Sequence, residues 1–157
     1  MLLELCRWVQ YSPPLVAMRG SPILFPIVAT IHLMGLAVVG GSVLLVDLRL
    51  LGLGLRRQPV AVLARDADRW LFRGLVVMVS TGILLFMCFA TKYYYLTFFW
   101  VKMAALCAVI AFTVSVRRRI IMGHEGGVSA ASGRLVALVS LALWTTVALG
   151  GRYIGFP

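Results

Sequence analysis

The sequence predicts an all-α integral membrane protein, a four-helix bundle with a short N-terminal interfacial helix. Three observations carry this. Hydrophobic residues make up 62% of the 157-residue chain, and its mean hydropathy is +1.00. Charged residues are only 13%, against about 25% in a soluble domain, so there is too much apolar surface for one soluble core. Four runs reach or approach the roughly 20 apolar residues that cross a bilayer. The whole of 1–157 is expected to form one membrane domain, with an interfacial segment at 1–20 and spans at about 23–46, 74–90, 96–116 and 135–153.

The N-terminal segment Leu2–Tyr11 is apolar except for Glu4, Arg7 and Gln10, which recur every three residues as a narrow polar stripe. It is too short and too mixed for a secretory signal, so it is expected to be retained as an interfacial helix or as a contact for another subunit. Ser12–Pro13–Pro14 ends it.

The first span, Ile23–Val46, holds a single titratable side chain, His32, nine residues from its start. An ionisable group at membrane depth costs about 2–3 kcal/mol or more, which makes His32 a site hypothesis. On a helical wheel Val39 and Val43 lie in line with it, Leu36 is close, and Ala29 and Gly35 flank it. Gly40 borders the same face deeper in. Gly35, Gly40 and Gly41 are first of all read as packing positions, but a missing side chain beside the imidazole would also admit a flat ligand. Ala37 and Gly41 form a small-residue pair on the opposite side. Beyond the span, Asp47 opposes the helix dipole and calls for an arginine partner.

The first connection reads as a short amphipathic helix over Arg56–Arg73 lying on the inner leaflet, with Val60, Val62, Leu63, Ala67 and Trp70 apolar. The second span carries Gly74, Met78, Thr81, Leu85 and Cys88 along one stripe. The third carries Lys102 at a depth comparable to His32, beyond the aromatic run Phe98–Trp100. Gly123–Gly133 is a flexible connector that includes the second histidine, His124. The fourth span offers Ala137, Ser140, Trp144, Ala148 and Gly151 on one face and ends at Arg152.

Arginines fix the expected topology. Arg49, Arg56, Arg57, Arg65, Arg69 and Arg73 surround the first connection, and Arg117, Arg118, Arg119 and Arg134 flank the third. The other ends carry Arg7, Arg19, Lys92 and Arg152. The positive-inside rule therefore puts both termini on the outer, periplasmic side of a bacterial inner membrane. The net charge of +10 is accordingly read as contact with lipid headgroups and not with nucleic acid, for no aromatic residues interleave with the basic ones. With the first helix starting outside, His32 lies roughly 13 Å in, in the outer half.

One His, one Lys, a terminal Arg, Trp144 and several glycines suit a porphyrin. Haem b would take His32 as its axial metal ligand. Lys102 would be a second ligand or a propionate contact, Arg152 a propionate clamp, Trp144 a wall, and Gly35, with Gly40, the gap that admits the ring. Copper is the alternative cofactor, on His32, Met87, Cys88 and Cys107. A cofactor-free structural or assembly subunit is a third reading, with His32 bonded to Ser140, Thr145 or a carbonyl, and a proton-coupled transporter a fourth. No acid lies near His32 on its helix, so hydrolysis is not expected. The expected partners are lipids, a redox partner or larger membrane complex, and a second copy of the chain.

The segments Ser21–Pro22–Ile23–Leu24–Phe25–Pro26, Ile31–His32–Leu33–Met34–Gly35, Val46–Asp47–Leu48–Arg49–Leu50–Leu51–Gly52, Thr81–Gly82, Trp100–Val101–Lys102 and Leu143–Trp144 to Phe156 resemble an uncharacterised family of bacterial four-span membrane proteins. That resemblance implies a fold and no activity. His32 with its following glycines also looks like the copper-resistance protein D family. Together with Lys102 it looks like the HemJ-type protoporphyrinogen oxidases, without their aromatic-rich first-helix motif. The latter implies a haem-compatible His–Lys pairing, and not the oxidase activity.

Overall fold

The computed structural model describes residues 1–54, 58–117, 119 and 129–154. Seven α-helices follow one another among them: α1 (Leu2–Gln10), α2 (Pro13–Gly20), α3 (Leu24–Leu51), α4 (Val60–Cys88), α5 (Ala90–Tyr94), α6 (Thr97–Phe112) and α7 (Ala130–Ile154). A π-helical turn, Thr113–Arg117, extends α6. Four of these helices are long and apolar enough to cross a membrane. The protein is a multi-pass membrane protein with an all-α bundle.

Local chemistry sets the breaks. Ser12 accepts the chain at the end of α1, its hydroxyl donating to the Val9 carbonyl at 2.8 Å, and Pro13 starts α2 where its missing N–H costs nothing. The Ser21 hydroxyl oxygen receives the backbone N–H groups of Ile23 and Leu24 at 3.3 and 3.1 Å, opening α3. At the other end Gly52 takes φ +80°. Its N–H bonds the Arg49 carbonyl while Leu53 N–H reaches back to Leu48, a Schellman cap that only glycine enters without strain.

The first connection differs from the sequence expectation. Residues 60–73 are not a separate helix on the leaflet; they are the first half of α4, which runs unbroken for 29 residues. At 1.5 Å per residue it is about 43 Å long, well beyond a bilayer core of roughly 30 Å. Ala64 and Ala67 decide the matter, because they are buried against Val46 and Leu50 of α3 and Val136 and Ala137 of α7. Arg65, Asp66 and Arg69 stay on the exposed side, Asp66 and Arg69 paired at 3.8 Å. The amphipathic pattern was legible; what it packs against is protein. Likewise α7 begins at Ala130, five residues before the expected span. His124 lies outside the described residues.

The long helices pack in the order α4, α3, α7, α6, with extensive interfaces between successive members and no comparable interface between α4 and α6. The α3/α4 interface is a close crossing of two glycines. A Cβ at Gly35 would stand 3.1 Å from the Met78 nitrogen and 3.3 Å from the Gly74 carbonyl oxygen, and one at Gly74 would stand 2.9 Å from Val39 Cγ2 and 3.2 Å from the Gly35 carbonyl oxygen. Gly35 is therefore filled by the backbone of α4, and opens no gap for a ring. Gly40 and Gly41 have nothing within 4 Å of a Cβ position; both are exposed, so Gly40 borders no ligand space beside His32. A second core joins α3, α6 and α7 through Val39, Val43, Ala105, Val109, Trp144 and Val147.

The crossing makes a stability prediction. Gly74→Val should destabilise the protein by about 1–3 kcal/mol through overpacking, read as a lower thermal unfolding temperature in detergent, whereas Gly41→Ala should leave that temperature unchanged. Equal effects at the two positions would contradict the close crossing.

Candidate functional site

The α3/α4 crossing determines where His32 goes. Three residues before Gly35, its ring lies against α4 at Thr81 and Gly82. A Cβ at Gly82 would stand 3.1 Å from His32 Cε1, so only glycine lets the ring lie flush. His32 Nδ1 is 3.0 Å from Thr81 Oγ1. The single hydroxyl hydrogen of Thr81 goes to a carbonyl of its own helix, at 2.6 Å to Val77 and 3.3 Å to Met78. Toward the imidazole Thr81 can then only accept, and Nδ1 must carry the ring proton. Nε2 keeps its lone pair. The partner of His32 is thus on α4, and not Ser140 or Thr145 of α7.

Half-buried His32 lines a cavity of about 470 Å³ between α3, α4, α6 and α7. Lys102 lines the same cavity from α6. Its stem runs over two glycines of α7, with a Cβ position at Gly150 3.1 Å from Lys102 Cβ and one at Gly151 3.4 Å from Nζ. Among the described residues the ammonium has no hydrogen bond or ion pair. Arg152 joins the lining from the last turn of α7. His32, Lys102 and Arg152 therefore line one cavity.

The remaining candidates do not line it. Gly35 and Gly40 lie at the helix crossing and on the outer surface. Trp144 is buried in the α3/α6/α7 core and does not line the cavity. Its side chain packs with valines instead, because the face of α7 that carries it turns toward Val109 and Val43. The proposed copper ligands Met87, Cys88 and Cys107 do not line the cavity that His32 faces, and among the described residues no three His, Cys, Asp or Glu side chains converge.

At the end of the bundle that carries the termini, aromatic rings roof the cavity. Phe86 of α4, Tyr93 of α5 and Phe99 of α6 stack on one another, with centroids 6.3 Å apart for Phe86 and Tyr93, 5.0 Å for Phe86 and Phe99 and 5.9 Å for Tyr93 and Phe99. Burial, with the neighbouring Cys88 as a lesser cause, pushes the Tyr93 phenol above its ordinary value, so it is neutral across the physiological range. This roof bridges α4 and α6 through the Phe86–Phe99 stack.

The sequence reading missed what holds the roof. Arg19 donates from Nη1 to the Cys88 carbonyl at 3.1 Å, satisfying an orphan acceptor at the end of α4 with a cation favoured by the helix dipole. The guanidinium also lies over the Tyr11 and Phe89 rings at 5.9 and 5.8 Å. Gln10 accepts from the backbone N–H and hydroxyl of Thr91 at 2.9 and 2.6 Å. So α1 and α2 clasp the α4–α5 turn from which Tyr93 projects. Gln10 is buried, the one signal being its place in an otherwise apolar segment.

Comparison with known proteins bears on ancestry alone. No curated protein and no solved structure matches the chain, and the likenesses to copper-resistance protein D and HemJ-type proteins find no support. One family model, described as a family of unknown function, DUF6644, matches residues 20–157. That match takes in every long helix of the bundle, and the chain belongs to the DUF6644 family.

Proposed function

We propose that this protein is a haem b-binding membrane subunit that transfers electrons or supports a membrane redox enzyme. The observation that carries this reading is the contact of His32 Nδ1 with Thr81 Oγ1 at 3.0 Å, on the wall of the cavity. A metal-ligating histidine characteristically donates its second ring N–H to a protein acceptor, which orients the ring and raises the basicity of the ligating nitrogen. Thr81 supplies that acceptor, leaving Nε2 for iron in a cavity whose walls are mostly apolar and aromatic.

The residues present fit a porphyrin carrying two carboxylates. His32 would be the axial ligand, Lys102 and Arg152 the propionate contacts, and Met78, Leu85 and Phe99 part of the apolar surround. When bound, haem supplies reversible one-electron chemistry. The chain's own residues do the rest: Thr81 holds the imidazole, Gly82 lets it lie flush, and the Phe86–Tyr93–Phe99 roof limits water. Arginine distribution favours a bacterial inner membrane with both termini outside, which puts the site in the outer half, near a periplasmic redox partner. The exposed Ala37–Gly41 face is available to a second copy or a larger complex.

The copper alternative has less support, since Met87, Cys88 and Cys107 do not line the cavity that His32 faces. A structural subunit remains the competing reading, favoured by one observation: the hydrogen bond to Thr81 already meets one polar need of His32. Spectroscopy separates the two. Protein purified after expression with ample haem precursor should show a Soret band that His32→Ala abolishes; a colourless preparation that binds no added haemin, from a correctly folded protein, would sink the haem reading.

Thr81→Val keeps shape and removes the acceptor. Haem affinity should fall about 10–100-fold with the Soret band retained, measured by haemin titration into apoprotein. Unchanged affinity would mean that the hydrogen bond does not tune the ligand.

A further inference from the structure

A second polar site lies in the interior, independent of the haem reading. Hydroxyls in membrane helices are ordinarily satisfied by donating to the carbonyl one turn back. Among the described residues five do so: Thr30 to Pro26, Ser42 to Val38, Thr81 to Val77, Ser115 to Ala111 and Thr146 to Ala142. Ser140 and Thr113 do not. Ser140 is fully buried, the Thr113 hydroxyl is inaccessible, and neither has a partner among the described residues. The indole Nε1 of Trp144, also buried, is in the same position.

Helix rise puts Ser140 and Thr113 at one level, with Trp144 one turn from Ser140. Helices α6 and α7 run antiparallel with Gly150 against Lys102. Ten residues back along α7 lies Ser140, and eleven forward along α6 lies Thr113, at about 15 and 16–17 Å from that contact. Trp144 follows Ser140 by one turn, and its side chain leans back toward the Ser140 turn, as side chains on a helix do. It packs on Val109, one turn before Thr113. Thr113 also opens the π-helical turn Thr113–Arg117.

We infer that Ser140, Thr113 and Trp144 hold ordered water inside the bundle. The donor and acceptor set selects this ligand. A cation would face the indole N–H, and an anion would sit near fully buried Asp47, since Val46 packs on Val136 and Ala137 in the turn next to Ser140. Water both donates and accepts, and buried water makes about three hydrogen bonds to groups otherwise unsatisfied. Trp144 and the valines packed on it stand between this site and the His32 cavity, so its role is to satisfy the interior of α6 and α7.

The test uses the full chain in lipid nanodiscs, with solid-state NMR magnetisation transfer from water to tryptophan indole N–H groups. The Trp144 signal, assigned by its loss in Trp144→Phe, should receive water magnetisation despite its burial. Ser140→Ala should lower the unfolding temperature by about 2–6 °C, because it removes one water partner and strands the others. Absence of transfer to Trp144 would overturn the proposal on the unaltered protein alone. So would a higher unfolding temperature in Ser140→Ala, the expected result if a dry, unsatisfied hydroxyl had been removed.

Discussion

Where α3 and α4 cross, neither helix has a side chain, and the contact of Gly35 with Gly74 sets the position of nearly everything that could act on a ligand. In a bilayer, apolar burial does little to hold helices together, so close backbone approach and the hydrogen bonds it permits take over that role. The crossing carries His32, one turn from Gly35, to within 3.0 Å of Thr81, two turns from Gly74. Gly82 then lets the ring lie flat on the helix. An imidazole that would be costly in lipid becomes an oriented group with one nitrogen committed and one left over.

On the other side of the cavity, the same economy of small residues applies to a cation. Gly150 and Gly151 give α7 a smooth surface along which the Lys102 stem lies, half-buried, with its ammonium in the space that His32 faces. Because α4 and α6 share no extensive interface, that space persists between them. Stacked rings close it only at one end, and the N-terminal helices clamp those rings through Arg19 and Gln10. The bundle is thus tight at two glycine crossings and open between them.

Much of this was readable from residue types and spacing. Apolar run length gave four spans, the Ser12–Pro13–Pro14 break gave a separate short helix before them, and the cost of charge at depth picked out His32 and Lys102. The wheel of α3 put Val39 and Val43 in the interior, where they are. What failed was assignment of partners across helices. A glycine beside an imidazole looks the same in sequence whether a ligand or a neighbouring backbone fills it, and Gly35 proved to be the latter. Trp144 shares a face with Ser140, but periodicity does not say which helix that face meets. The Arg56–Arg73 pattern was amphipathic as read, yet a stripe of Ala64 and Ala67 suits a helix partner as well as a membrane surface. Thr81 and Gly82 were visible as residues and invisible as the seat of His32, because that role exists only once α3 and α4 are crossed.

The central claim is that the crossing leaves His32 neutral with its proton on Nδ1 and its lone pair on Nε2. Nitrogen-15 NMR of histidine-labelled apoprotein at neutral pH, with His124→Gln removing the second signal, reads this directly. The account predicts a protonated Nδ1 and an unprotonated Nε2; a proton on Nε2, whether in the reversed tautomer or in an imidazolium, would contradict it.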